Sequence, residues 1–490
     1  MAPVPTSNSK LPAEVQAIEK FFYLTPERLN EIVKGFRTEF EDGLQNFGRD
    51  TAMIPSYCLN VPNGSEVGTF LALDLGGTNL RVCEVTLEGK NNFNVQQRKY
   101  KITDELKQGE ARALFDYIAD SVDSFLTDIG TEMDENEKIH LGFTFSFPVE
   151  QTALNKGKLL TWTKGFACKN AIGHDVVKLL QDALDRKHVH VRCSALVNDT
   201  VGTLLSRSYQ SGPALIGAIF GTGTNGAYID RVETITKLGE TAITESKKGG
   251  KDAGEYMVVN TEWGAIDNQR KVLPVSMFDN KLDRESINPR KQAFEKMVSG
   301  MYLGEIVRNI LLYLVDNLLL FSGYSSPILN THYGFDTAFV SAIEAAKSAQ
   351  EVKSAIFREL NIPENNISEQ DVELVQWACQ AVSTRAAALS ACAVAAVVLH
   401  TKALDRSDPI DVGMDGSVAE FLPFFEERVR AALRDTIGQD AEQRVTFGLA
   451  KDGSGVGAAL CALQAYKAEK QGLHPEVKKM DATVPGLADL

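Results

Sequence analysis

The chain has 490 residues, and its 51 Lys and Arg against 65 Asp and Glu leave a formal net charge of −14. So acidic a surface repels polyanions, which argues against nucleic acid or an anionic membrane as the main partner. Any phosphate ligand must then be held by backbone amides, a few cations or a metal. With 44% hydrophobic and 24% charged residues, the composition is that of a globular protein of about two to four folding units.

Cys58, Cys83, Cys168, Cys193, Cys379, Cys392 and Cys461 are scattered and form no CxxC pair. Neither a disulfide framework nor a structural zinc site is expected, and a reducing, cytoplasmic setting fits. The start, MAPVPTSNSK, has no apolar signal region, and no membrane span is expected. The longest uncharged apolar stretch, AAALSACAVAAVVLH, is short for a span and rich in small residues, so it reads as a closely packed buried helix.

In chain order, residues 1–50 read as polar and helical, with the amphipathic stretch ERLNEIVKGFRTEFEDGL. Thr69–Leu75 and Leu80–Leu87 read as strands joined by Gly76-Gly77-Thr78-Asn79. A helix over Ala111–Ile129, a strand over 140–148 and a helix near 173–186 follow. The strand VHVRCSALVND then runs into a helix starting near Thr200. ALIGAIFGTGTNGAYID repeats the strand–turn–strand pattern, a weak sign of two related α/β halves. SKKGGKDAGE (246–255) reads as an exposed loop, residues 291–322 and 370–403 as helical, and the segments from Ile410 and from Arg444 as strand–loop–helix. The polar tail after about 468 is expected to fray.

In LALDLGGTNLRV, consecutive Gly76 and Gly77 let the backbone turn tightly and aim N–H groups at an anion, with Thr78 and Asn79 adding donors. The chain leaves this turn as a strand, so it is neither a Walker loop nor a dinucleotide fingerprint; by itself it reads equally as a hairpin turn. Asp74, an acid in an apolar strand, needs a cation, and metal-bound water is a natural partner. FGTGTNGAY offers the same chemistry through Thr222 and Thr224. In DVGMDGSV, Gly413 and Gly416 permit close approach and Ser417 can cap the next helix. Gly453, Gly455 and Gly457 open another helix, for packing or for nucleotide contact. Asp199 lies between a strand and a helix, where it reads either as an N-cap or as a carboxylate at a strand end, the place where α/β proteins put ligands. A helix N-terminus favours its ionised form.

Together these segments resemble the hexokinase family, within the fold group of sugar kinases, actin and Hsp70, over roughly residues 15–467. LDLGGTNLRV and FGTGTNGAY resemble the two phosphate loops, LGFTFSFPV and TWTKGF the sugar-binding signature, and LVNDTVGTL the segment with the catalytic Asp. INPRKQAFEKMVSGMYLGE resembles a second sugar-binding segment and VGMDGSV the adenosine motif. The wording of FGTGTNG, NTEWGAIDN and AKDGSGVGAALCAL is closer to fungal glucokinases.

The resemblance implies an α/β, two-lobed, ribonuclease-H-like fold with a central cleft: a small subdomain over 63–198, a large one over 199–456 and a polar tail over 468–490. It implies ATP- and Mg²⁺-dependent phosphorylation of the 6-hydroxyl of glucose and other hexoses by a monomer or homodimer. Asp199 would be the base. Ser146, Thr163, Lys164, Asn198, Asn225, Glu262 and Glu295 would hold the sugar. Asp74, Gly76, Gly77, Thr78, Asn79 and Arg81 would lie along the phosphates, with Thr224 near the transferred group, and Gly300, Met301, Thr331 and Ser417 near the nucleotide. Mg²⁺ would be held through ATP and water, with Asp74 and Asp199 behind the water. A cleft closing on the sugar would exclude water as the competing nucleophile. A non-catalytic sugar sensor, or an ATPase without a sugar substrate, would share the fold. The phosphate loops and Asp199 speak against the first, and the FTFSFP and TWTKGF segments against the second.

Overall fold

The computed structural model describes residues 11–59, 61–76, 79–130, 138–240, 243, 255–450 and 452–470. Gly77, Thr78, residues 246–254 of the expected loop and 471–490 of the expected tail lie outside them. The strands are β1 (Ile54–Pro55), β2 (Val67–Leu75), β3 (Asn79–Gly89), β4 (Asn92–Lys101), β5 (Ile139–Phe145), β6 (Val149–Ala153), β7 (Lys156–Leu159), β8 (Val191–Val197), β9 (Ile216–Phe220), β10 (Thr224–Arg231), β11 (Tyr256–Asn260), β12 (Ile410–Asp415) and β13 (Val445–Leu449).

Internal contacts divide the chain into two units. The first comprises Met1–Met53, Ala218–Gly226 and Thr261–Leu449, the second Ile54–Gly217, Ala227–Asn260 and Ala450–Leu490. This cut differs from the linear one between 198 and 199, because the Asp199–Ser211 helix stays with the strand that feeds it and packs on the Gly453–Lys470 helix.

The second unit is built on a five-stranded sheet of order β4-β3-β2-β5-β8. β2 pairs antiparallel with β3 and parallel with β5, which pairs parallel with β8. Phe70–Leu75 is almost continuously apolar because both faces of this central strand are covered. Leu71, Leu73 and Leu75 join the core under the Ala111–Ile129 and Val176–Arg186 helices. Phe70 and Ala72 face the core under the Asp199–Ser211 and Gly453–Lys470 helices. The Ala111–Ile129 helix buries Leu114, Phe115, Ile118, Val122, Phe125 and Leu126 at helical spacing and ends at Gly130, whose φ of 66° makes it a left-handed cap.

Close backbone packing fixes one glycine at the start of the C-terminal helix and one on the strand beneath it. A Cβ on Gly457 would lie 2.1 Å from Gly202 Cα, and one on Gly142 in β5 would lie 2.0 Å from the Ala458 carbonyl oxygen. This second unit also holds the β6–β7 hairpin and the order β1-β11-β10. β4, a polar edge strand bearing Arg98, Lys99 and Lys101, has no counterpart among the expected elements.

In the first unit the long Glu369–His400 helix is buried nearly all round, as its small apolar residues require, and starts at a Ser368–Asp371 capping box. By length and composition it would suit a membrane span, but most of its apolar window is buried within the fold. Its fully buried Arg385 forks onto Asp279 at 2.7 and 2.8 Å. The Pro26–Gln45 helix packs beside it, capped by Thr25 with Pro26 in its first turn. The strand order here is β9-β12-β13, with β12 and β13 parallel.

Candidate functional site

In the second unit, β8 delivers Asn198 and Asp199 to the start of the Asp199–Ser211 helix. The cap is Asn198, not Asp199: Asn198 Oδ1 accepts from the Thr200 amide at 2.9 Å and from the Thr200 hydroxyl at 2.6 Å, leaving its NH2 to donate elsewhere. Asp199 is thereby released from capping, although its Oδ1 also accepts from the Thr200 amide at 2.9 Å. Burial pushes the Asp199 carboxyl above its ordinary range, and nearby Asp74 adds to the rise. The Lys164 ammonium and the Ser146 hydroxyl oppose it, as does the Thr200 amide. The expected dominance of the helix N-terminus is therefore corrected: desolvation wins at this position.

Ser146 follows β5, and its carbonyl accepts from Lys164 Nζ at 2.9 Å. Lys164 (φ 55°) and Gly165 (φ 81°) are the two centres of a turn closed by the Phe166 amide on the Thr163 carbonyl at 3.0 Å. Paired positive φ values define a type I′ turn, where glycine suits the second place. An aromatic cluster of Phe145, Phe147, Trp162 and Phe166 holds this turn against the end of β5, with ring centroids 4.7 to 6.0 Å apart. Ser146, Lys164, Asn198 and Asp199 thus form one group, with Thr163 exposed at the edge of the turn.

On the first loop, the cation that half-buried Asp74 requires is Arg81, its register partner across β2 and β3. Arg81 Nε donates to Asp74 Oδ2 at 3.1 Å and its Nη2 donates to the same oxygen. Ser454 Oγ adds a third donor at 2.8 Å. The Gly76 amide closes the turn onto the Asn79 carbonyl at 3.1 Å, so it is spent within the hairpin.

In the first unit, the 221–225 turn is held from three sides. The Gly300 and Met301 amides donate to the carbonyls of Gly221 and Thr222 at 2.7 and 3.2 Å, and the Thr224 amide donates to Glu295 Oε2 at 3.0 Å. Thr224 is buried with its hydroxyl committed: it donates to the Ile219 carbonyl at 2.9 Å and accepts from the Trp263 indole at 3.1 Å. The donors this turn keeps open among the described residues are the Thr222 and Gly223 amides and the exposed Thr222 hydroxyl. Glu262 adopts a left-handed conformation (φ 55°, ψ 42°) and stands 3.5 Å from Asn225 Nδ2. Asn225, Glu262 and Glu295 therefore gather around one loop, and Glu295 is half-buried rather than on a solvated helix face.

Around the expected nucleotide motif, the Ser417–Phe421 helix is capped by Gly416 (φ 106°), which corrects the capping role given to Ser417. A Cβ on Gly416 would lie 2.6 Å from the Phe220 carbonyl, and one on Gly300 3.2 Å from the Gly221 carbonyl, so the backbones of three segments meet closely here. Ser417 and Met301 are exposed beside them. Thr331, also exposed, spends its hydroxyl on the Pro327 carbonyl at 2.8 Å.

Two residues escaped the reading of the sequence, whereas Thr222, read beside Thr224, is the exposed threonine of its loop. Ser454 reaches Asp74 across 380 positions of sequence. Gln292 caps the Ala293–Val298 helix and buries Oε1 without a hydrogen-bond partner among the described residues. Its place one helical turn before Glu295 was the available signal.

Hexokinase family models match residues 14–209 and 215–464. The glucokinase of Aspergillus niger is 41% identical, over 94% of this chain and 99% of its own length. Hexokinase-1 of Schizosaccharomyces pombe is 37% identical over 96% of this chain and 94% of its own. Among solved structures, the hexokinase of Schistosoma mansoni in complex with glucose superposes with a TM-score of 0.79 at 38% identity, over 92% of this chain and 98% of that one. The fold is the mixed α/β hexokinase fold, and the chain belongs to the hexokinase family.

Proposed function

We propose that this protein transfers the γ-phosphoryl group of ATP to the 6-hydroxyl of glucose, and of other hexoses, giving the hexose 6-phosphate that enters glycolysis. The observation that carries the reading is the Asp199 carboxylate at the end of β8. It is raised in basicity by burial, joined by the Ser146 hydroxyl and within the field of Lys164. A carboxylate of raised pKa is a stronger base once ionised. Asp199 takes the proton of the sugar O6 as that oxygen bonds to the γ-phosphorus and the bond to the β–γ bridging oxygen breaks, releasing ADP. Ser146, Thr163, Lys164, Asn198, Asn225, Glu262 and Glu295 hold the hydroxyls, with Gln292 as a further acceptor. Asp74, Gly76, Gly77, Thr78, Asn79 and Arg81 line the phosphates. In the 221–225 turn the exposed Thr222, rather than the committed hydroxyl of Thr224, meets the transferred group. Gly300, Met301, Thr331 and Ser417 lie along the nucleotide.

Mg²⁺ fits the donor set. Asp74 Oδ1 accepts no hydrogen bond among the described residues, and Asp74 and Asp199 offer the hard oxygens that a magnesium ion with retained water prefers. Bound there, Mg²⁺ supplies neutralisation of charge on the phosphate oxygens. The acidic surface and seven buried free cysteines support a cytoplasmic setting. A coupled assay with ATP, Mg²⁺ and glucose, mannose or fructose tests the reading. Wild type is expected to turn over glucose, and Asp199→Ala to lose about 10²- to 10⁴-fold in kcat while still binding glucose. Undiminished turnover in Asp199→Ala would remove Asp199 as the base.

A further inference from the structure

Ser454 is the second residue of the Gly453–Lys470 helix, past the cap position at which a serine hydroxyl would accept from a helix amide. Its hydroxyl does something else. It donates to Asp74 Oδ2 at 2.8 Å and accepts from Arg81 Nη2 at 2.6 Å. Arginine and carboxylate groups ordinarily meet as a fork, with two parallel bonds to two oxygens. Here both Arg81 donors fall on Oδ2, and Ser454 supplies the third bond to that oxygen. Oδ1 accepts none among the described residues. The arrangement is anchored from behind. The carbonyl of Ser454 accepts from the Thr144 hydroxyl at 3.0 Å, and Thr144 is the parallel-register partner of Asp74 on β5. Ser454 is 7% exposed and Thr144 fully buried, so neither bond is easily replaced by water.

We infer that Ser454 is a positioning residue for the magnesium–nucleotide complex: it pins Asp74 side-on to Arg81 and so keeps Oδ1 available. Without the hydroxyl, Arg81 is free to fork across both carboxylate oxygens and withdraw Oδ1. This rests on the phosphoryl-transfer reading, because it gives Asp74 a role towards that complex. It predicts a defect confined to the nucleotide and metal.

The experiment compares wild type, Ser454→Ala and Ser454→Thr by calorimetric titration with Mg-ADP and by glucose binding, alongside steady-state kinetics with Mg²⁺ varied. Ser454→Ala is expected to bind Mg-ADP about tenfold more weakly, the order expected for one hydrogen bond to a charged group. KM for Mg-ATP and the Mg²⁺ midpoint should rise, and glucose affinity should stay within about twofold. Ser454→Thr, which keeps the hydroxyl, should recover the binding. In an Asp74→Asn background the alanine substitution should add little, since both act on one carboxylate. Ser454→Cys replaces the alanine variant should that one not fold. Unchanged Mg-ADP affinity, an equal loss of glucose affinity, or full additivity with Asp74→Asn overturns the inference. A wild type without hexose kinase activity overturns the function instead, and the two failures are distinguishable because Mg-ADP binding needs no turnover.

Discussion

The main-chain N–H of Thr224 donates to Oε2 of Glu295 at 3.0 Å. The contact is close on its other side as well, since a Cβ on Gly223 would lie 2.7 Å from the same oxygen. A side chain assigned to the sugar thus also sets the conformation of a loop assigned to the phosphates. Glu295→Ala removes the acceptor and is expected to raise KM for both glucose and Mg-ATP. Glu295→Gln keeps an acceptor for the Thr224 amide while losing the charge. It should impair glucose binding by about 10- to 100-fold and leave Mg-ATP binding close to wild type. Initial-rate kinetics with each substrate varied make the comparison. If both variants raise the two KM values in the same ratio, the Thr224–Glu295 bond does not couple them.

Asp199 gives the activity a defined response to pH. Burial raises its pKa, and Lys164 and Ser146 lower it. The acid limb of kcat/KM should therefore lie above the ordinary aspartate range, with activity lost as pH falls through it. Lys164→Met removes an opposing charge, so the limb of its residual activity should move to higher pH. A shift to lower pH would contradict the electrostatic account. The same burial has a stability consequence. A carboxyl with a folded pKa above its unfolded one is carried protonated more readily by the native state, so native stability falls as pH rises through that interval. Above the folded pKa the full cost is present. Asp199→Asn should melt higher than wild type above that interval, with the gain shrinking as pH falls through the raised folded pKa and gone below the ordinary aspartate value.

What the sequence disclosed, and what it withheld, follows from the range of each interaction. Asp74 stood out because a carboxylate in an apolar strand needs a partner, and Arg81 lay only seven residues on. Asn198-Asp199 stood out because an apolar strand ended there. Which of the two capped the helix depended on backbone angles that neighbouring residues share almost equally, and Asn198 took the cap. Ser454 was invisible as a partner of Asp74 because the fold alone brings together residues 380 positions apart. β4 was missed because NFNVQQRKYK is a polar edge strand, with only partly buried residues on its inner side to mark the alternation. The pKa of Asp199 was misjudged because the helix start is local and legible, whereas desolvation comes from segments far away in sequence.

The glycines of AKDGSGVGAAL show how far chemically identical residues differ in function. Gly457 meets the Gly202 backbone so closely that a Cβ would lie 2.1 Å from Gly202 Cα and 2.4 Å from its carbonyl oxygen. Neither neighbour is a side chain that can swing away. Two helices would have to separate, and this contact lies in the unit that holds Asp199 and Asp74. Gly457→Ala is expected to destabilise by about 3 kcal/mol or more, at the upper end for overpacking. Gly455, two residues earlier, faces only Cys83 Sγ at 3.7 Å, an ordinary contact distance. Gly455→Ala gains the helix propensity of alanine, about 1 kcal/mol, with no clash to offset it. Chemical denaturation of the two variants should move the midpoint in opposite directions. Equal effects would mean that the Gly202–Gly457 crossing is looser than the structure has it.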